Sequence, residues 1–212
     1  MTLGEALAAG VAALGLDVDD AIQARLLAYV TLLEKWNRTH NLTSIRDPLG
    51  MLRHHLLDSL AVLPYLPARP SLQVVDIGSG GGLPGVPLAI IRPRWKVTLL
   101  DSNQKKSAFL RQLAAELHLT NVEVETARAE SFAPAKLFEV AIARALADLA
   151  QFAAWTIHLL APGGRLFAMK GTYPREEIAA LPQGIRVVAT HKLEVPGLAA
   201  ERHLVIMEVQ TA

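Results

Sequence analysis

The stretch Val74-Val-Asp-Ile-Gly-Ser-Gly-Gly-Gly-Leu-Pro-Gly85 joins a short β-branched run to a segment that reads as helix. A glycine-rich turn in that setting is the signature of a nucleotide site at the carboxyl end of a strand in an open α/β sheet. Glycines there let the backbone approach a ligand closely. Asp101 ends the next predicted strand, 25 residues after Asp76, where a carboxylate can accept hydrogen bonds from ribose hydroxyls.

Two cofactor classes compete for this loop. Gly80, Gly82 and Gly85 fit G-x-G-x-x-G, which keeps a nicotinamide-dependent dehydrogenase open. Asp76, on the strand just before the first glycine, instead suits a cofactor with a cationic amino-acid end, such as S-adenosylmethionine. Pro84 and Pro87 interrupt a regular phosphate-facing helix start, and the chain closes on a hairpin instead of a second mononucleotide-binding half. The pattern favours the methyl donor.

Outward from the loop, strands alternate with helices. Strands are predicted at 72–77, 96–101, 122–126, 138–143, 164–170, 186–193 and 203–209, with helices near 84–92, 103–118, 146–160 and 174–180. This order implies a mostly parallel seven-stranded sheet with right-handed crossovers and two closing strands paired at one edge. The first third reads as helical. Ile22, Leu26, Tyr29, Leu33 and Trp36, spaced 4, 3, 4, 3, mark one apolar face, and Asp19 or Asp20 can cap its start. A second helical run covers 49–63. Pro64, Pro67 and Pro70 then separate a helical segment, 1–70, from a core of 71–212 on which it packs.

Composition narrows the classes. The 212 residues carry 21 Lys plus Arg against 20 Asp plus Glu and no cysteine. Disulfides, thiolate metal sites and a cysteine nucleophile are therefore excluded. Net charge of +1 offers no global attraction for nucleic acid, but Arg92, Arg94, Lys96, Lys105, Lys106 and Arg111 surround the single acid Asp101 and suggest a phosphate-contacting patch. The apolar N-terminus lacks the basic region of a signal peptide, and no run is long enough for a bilayer helix. A soluble cytoplasmic protein is expected. His54 and Asp58, one helical turn apart, lack a third ligand, so Arg53, His54, His55 and Asp58 are read as a brace between helices and sheet, without a metal.

Asp76-Ile-Gly-Ser-Gly-Gly-Gly-Leu-Pro-Gly-Val-Pro-Leu-Ala-Ile90 resembles the cofactor loop of the bacterial 16S ribosomal RNA (guanine-N7) methyltransferase G family, also called glucose-inhibited division protein B. The resemblance spans nearly the whole chain. Trp36-Asn37, Asn41-Leu-Thr-Ser-Ile-Arg-Asp-Pro48 and His55-Leu-Leu-Asp-Ser-Leu60 resemble its N-terminal signatures. Leu99-Leu-Asp-Ser102, Arg144-Ala145, Lys170-Gly171 and Glu201-Arg-His-Leu204 resemble its later ones. Gly81 departs from it, standing where many members are expected to have proline.

The resemblance implies a Rossmann-like S-adenosylmethionine-dependent methyltransferase fold and sites to match. By similarity, Gly78, Gly80 and Leu83 line the cofactor pocket beside Asp76, and Asp101 and Ser102 hold the ribose. Ala129 and Glu130 flank the adenine, and Arg144 stands between cofactor and target base, with a pair to Asp148 as its structural alternative. Lys170 and Arg202 are expected at RNA phosphate or the target base, with His203 and the basic Lys105 and Lys106 beside them. Arg144 and Lys170 are the catalytic candidates. The implied partner is 16S rRNA or a small-subunit precursor, met by a monomer, with a guanine in the 530 loop as target.

Guanine N7 has an exposed lone pair and no hydrogen, so its methylation requires alignment more than a base. Three alternatives stay open at this point. Ribose 2′-O-methylation would use a lysine-centred network, for which Lys170 is a candidate. The others are a nicotinamide-dependent oxidoreductase and a non-enzymatic RNA-binding module.

Overall fold

A computed structural model describes residues 1–210. Its centre is one seven-stranded sheet in the order β3-β2-β1-β4-β5-β7-β6. The strands are β1 Gln73–Ile77, β2 Lys96–Leu100, β3 Val122–Glu125, β4 Phe138–Arg144, β5 Leu160–Lys170, β6 Ile185–Lys192 and β7 His203–Val209. The first five are parallel, and β7 runs antiparallel between β5 and β6. This is the Rossmann-like methyltransferase architecture. Strand order reverses between β1 and β4, and the crevice at their carboxyl ends is where such sheets take ligands.

Both faces of the sheet are covered, so β1 and β2 are buried at every position after their first residue, Asp76 and Thr98 included. Side chains alternate across the sheet. Val74, Val97, Val140, Ile142 and Phe167 pack under the N-terminal helices and under α5 Gly85–Ile91 and α6 Gln104–Glu116. Val75, Ile77, Ala141, Leu166 and Val205 face α7 Leu149–Thr156, and Ile178 of α8 Arg175–Ala179 packs against that cluster. The helical segment 1–70 thus shares one core with the sheet, because Leu7, Leu26, Tyr29 and Leu33 lie in the same cluster as the β1 and β2 residues.

Local chemistry sets the helix limits. The helix α1 Leu3–Ala13 opens on a capping box made by Thr2 and Glu5. It approaches the next layer closely at Gly10, where a β-carbon would lie 2.6 Å from Leu57. Asp19 caps α2 Asp20–His40 through the Ile22 N–H, and the expected apolar face is the buried one. The run expected at 49–63 is divided. It is α-helical over α3 Pro48–Met51 and α4 Asp58–Leu60, and widens to π geometry over Leu52–Leu57. Such widenings are frequent at functional sites. The helix expected from 146 starts at Leu149, because Asp148 accepts the Gln151 N–H as its cap.

One expectation is corrected outright. The six basic residues of 92–111 do not form one patch. Arg92, Arg94 and Lys96 stand at the amino end of β2, while Lys105, Lys106 and Arg111 are on α6 beyond its other end. The five-residue strand puts about 16 Å between the groups. Only the second group lies at the end of the sheet where the site is. Among the described residues no helix is long and apolar enough to cross a membrane.

Candidate cofactor and target site

Two cavities open at the carboxyl ends of β1, β2 and β4, one on each side of the glycine turn. The larger, about 470 Å³, gathers Gly78, Asp101, Ser102, Ala129, Glu130 and Arg144, with apolar walls from Leu146 and Trp155. The smaller, about 170 Å³, is lined by Gly80 and Leu83 together with Leu33, Leu42, Thr43 and His55. Gly78 and Arg144 belong to both. Every expected cofactor residue except Asp76 therefore lines one cavity or the other.

The turn is held by its own backbone. Gly78 and Ser79 both donate to the Leu100 carbonyl, at 2.8 and 3.2 Å. Gly78 has φ +69° and a β-carbon there would lie 2.5 Å from Leu146, so only glycine fits. Asp101 accepts the Gly80 N–H at 2.9 Å and the Asn103 N–H at 2.8 Å, one on each oxygen. Each oxygen keeps a lone pair for a ribose hydroxyl. This carboxylate, the apolar wall and the bare backbone of the turn fit the adenosine of S-adenosylmethionine.

Asp76 departs from expectation. It lines neither cavity and lies fully buried under the turn, accepting the Gly85 N–H at 2.9 Å, with its second oxygen unpartnered. Burial pushes its carboxyl up to about 7, against the pull of the Gly85 N–H. Because the folded pKa is raised, the folded state holds a proton the unfolded chain has lost between about pH 4 and 7. Asp76 therefore contributes less stability as pH rises through that window. Relative to Asp76→Asn, the wild type should lose urea-denaturation midpoint between pH 5 and pH 7.5 and then level off. A difference independent of pH would contradict the assignment.

From α2, the Tyr29 hydroxyl donates to the Gly81 carbonyl at 2.9 Å. Burial pushes this phenol up, so it remains a donor at any ordinary pH. Tyr29→Phe should cost about 1 kcal/mol in chemical denaturation and weaken cofactor binding severalfold by loosening the turn. In the sequence Tyr29 belongs to the apolar stripe of α2, and its position there gives no sign of the hydroxyl's partner.

Arg144 ends β4, and the next residue, Ala145, has φ +51°, a left-handed turn that non-glycine residues adopt at a cost. The guanidinium does not pair with Asp148. Its Nη1 donates to the His54 carbonyl at 2.9 Å and to Asp58 Oδ2 at 3.1 Å. Asp58, only 2% exposed, accepts Arg202 Nε on its other oxygen at 3.0 Å. Two cations thus share one carboxylate, and the brace expected of the 53–58 segment is this arrangement. Among the described residues no group of three metal-ligating side chains is assembled. His55 lies with Nδ1 3.3 Å from Arg144 and Nε2 2.6 Å from Thr43 Oγ1. Burial and the neighbouring Arg144 charge lower its pKa to about 4, so the ring is neutral.

The expected RNA contacts divide. Lys170 lines neither cavity. Its ammonium is spent on the Ala147 carbonyl at 2.7 Å and Glu177 at 2.6 Å, so it is not a free cation at the base. Arg202 is committed to Asp58. His203 is buried on β7, an interior strand, with Nδ1 2.8 Å from the Gly171 carbonyl and Tyr173 against its ring edge. Lys106 lines the larger cavity, and Lys105 is exposed beside it on α6. Leu146, Trp155 and Thr43 were missed as site residues. The first two fall inside the helix predicted at 146–160 with nothing to mark them, and Thr43 gave only its place in the Asn41–Pro48 signature.

Known proteins share both the sequence and the fold of this chain. Residues 22–205 match the model of the family described as rRNA small subunit methyltransferase G. The chain is similar to "Ribosomal RNA small subunit methyltransferase G" of Neisseria gonorrhoeae, 53% identical over 203 residues, covering 96% of this chain and 97% of that one. The Burkholderia cenocepacia protein of the same name is 52% identical over 210 residues, covering 97% and 92%. Among solved structures, the fold resembles TrmN from Thermus thermophilus, with a TM-score of 0.56 and 23% identity, over 72% of this chain and 48% of that one. It also resembles the glycopeptide N-methyltransferase MtfA complexed with S-adenosylmethionine, with a TM-score of 0.58 and 15% identity, over 73% and 87%.

Proposed function

Since the chain belongs to the rRNA small subunit methyltransferase G family, we propose that it methylates guanine N7 in the 530 loop of 16S rRNA, using S-adenosylmethionine. It acts as a monomer in the cytoplasm, on 16S rRNA or a small-subunit precursor. The observation that carries this reading is the meeting of two cavities at Gly78 and Arg144, beside a ribose-binding carboxylate on Asp101. The cofactor supplies an activated methyl group on a sulfonium.

The residues divide the remaining work. Asp101 and Ser102 hold the ribose, while Ala129, Glu130 and Trp155 enclose the adenine. Gly78, Gly80 and Leu83 let the turn approach the amino-acid portion. Arg144, fixed by Asp58 and the His54 carbonyl, forms a rigid wall against which donor and base are aligned. Lys105 and Lys106 offer phosphate contacts at the rim, and the base reaches the site unpaired or flipped out of its stack. Guanine N7 carries no proton, so none of these groups has to act as a base.

Ribose 2′-O-methylation is disfavoured by the confinement of Lys170, whose ammonium is held by Glu177 away from both cavities. The test is labelled methyl incorporation into small-subunit particles from a strain lacking the gene, followed by mass spectrometry of nuclease digests. A 7-methylguanine product in the 530 loop is expected. A 2′-O-methyl product would overturn the N7 reading, and no incorporation at saturating cofactor would favour a non-enzymatic RNA-binding module.

A further inference from the structure

At the amino end of β2, away from the cofactor, lies a cavity of about 630 Å³ between the proline-bearing segment 63–70 and the turn 91–95. Arg69, Arg92 and Arg94 line it, and no acidic residue does. All three arginines are exposed. Arg69 is paired with Glu139, which is not part of the lining. Among the described residues neither Arg92 nor Arg94 has an ion-pair partner. The cavity is therefore a cationic groove whose charge nothing in its own lining offsets.

The groove is rigid where it carries charge. Trp95 is buried, and its indole N–H donates to the Arg69 carbonyl at 3.1 Å, tying one wall to the other. Its backbone N–H closes the turn on the Arg92 carbonyl at 2.9 Å. Asn121, just before β3, is buried beneath this turn and donates its side-chain amide to the Ala89 and Trp95 carbonyls, both at 3.1 Å. Pro93 fixes the backbone between the two unpaired arginines, and the Arg92 guanidinium stands 5.9 Å from the centroid of the Trp95 ring. Arginines that merely solvate a loop need no such frame. A planar guanidinium fork held in place matches phosphate oxygens in pairs.

We propose that the Arg69–Arg92–Arg94 groove is a second docking site for the substrate RNA, binding its phosphates at a distance from the target guanine. The proposal rests on the rRNA reading and deepens it. Affinity for a polyanion comes largely from phosphates neutralised by Lys and Arg. The catalytic end is poorly supplied with them, because Lys170 and Arg202 are spent on Glu177 and Asp58, which leaves Lys105 and Lys106. The length of β2 sets the two basic groups about 16 Å apart, so a folded RNA can engage both while its target base is in the site. Phosphate contacts of this kind fix register and orientation and carry no sequence information. The choice of guanine stays with the cavities at the carboxyl end.

Two measurements on the full chain test this. The first is binding of small-subunit particles from a strain lacking the gene, over a series of salt concentrations. Arg92→Gln combined with Arg94→Gln should weaken binding about tenfold at ~0.1 M salt and lower the log–log salt slope by about 1.5, for two phosphates at ~0.7–0.9 each. Turnover, melting temperature and S-adenosylhomocysteine affinity should keep their wild-type values, since neither residue lines the cavities at the carboxyl end. Arg92→Lys combined with Arg94→Lys keeps both charges and should retain the slope. The second measurement uses the lack of cysteine: Ala68→Cys, in the exposed lining, supplies the only thiol for a tethered chelate that generates hydroxyl radicals. Cleavage of the 16S rRNA backbone outside the 530 loop is expected. Unchanged particle affinity and salt slope in the glutamine variant would overturn the proposal. So would a chelate that cuts nothing, or one that cuts only a ribosomal protein, which would assign the groove to a protein partner. A wild type that neither binds nor methylates the particles would instead remove the rRNA reading beneath it.

Discussion

Asp58→Ala is expected to lower unfolding stability by about 3 kcal/mol, the lower end of the range for breaking a buried ion pair from one side. The carboxylate is 2% exposed and accepts from Arg144 and Arg202, residues 86 and 144 positions away. Through it, α4 is tied both to the end of β4 and to the start of β7. Deleting it leaves two guanidiniums side by side without their counterion, so the loss includes mutual repulsion as well as missing hydrogen bonds. Both arginine side chains keep about a fifth of their surface in water, at 21% and 22%, which is why the lower end applies. Asp58→Asn retains an acceptor and should lose less, though it cannot neutralise either cation. The measurement is the urea midpoint at constant m-value, where a change under 1 kcal/mol would show that the brace contributes little.

What could be read from the chain follows from how far apart the determinants lie. The glycine turn, Asp101 and the strand–helix alternation are local or nearly so, and the cavities assemble from them where the topology requires. The Asp58 bracket joins three distant segments, and spacing alone could not pair them. Spacing offered Arg144 only one structural partner, Asp148 four residues on, and that carboxylate is committed to capping α7. Asp76 shows a related limit. Its residue type and place suited a ligand cation, yet the backbone of Gly85 closes over it, and only coordinates show which side of the turn the carboxyl faces. Lys170 sits at the ligand edge as expected, and the Glu177 that occupies it comes from α8. The basic run failed as a patch for the opposite reason: its members are near in sequence but separated by the length of β2.

Arg144→Lys should reduce kcat/KM for rRNA methylation by about 100-fold while leaving the fold in place. Arginine's planar fork is what the site uses. Nη1 serves the His54 carbonyl and Asp58, and both terminal nitrogens face His55 Nδ1. A lysine ammonium can keep the charge beside Asp58 but cannot span these partners. The wall common to both cavities then shifts, and a misplacement of about 1 Å at a reacting centre is enough for a 100-fold loss. Arg144→Ala should lose at least as much activity and also about 1–3 kcal/mol of stability, because Asp58 would keep only Arg202 as a partner. The pair of variants separates the roles. If the lysine variant keeps its melting temperature and loses turnover, Arg144 aligns donor and base. If it keeps turnover, or loses activity only in proportion to unfolding, Arg144 is a structural tie and the alignment must come from the glycine turn alone.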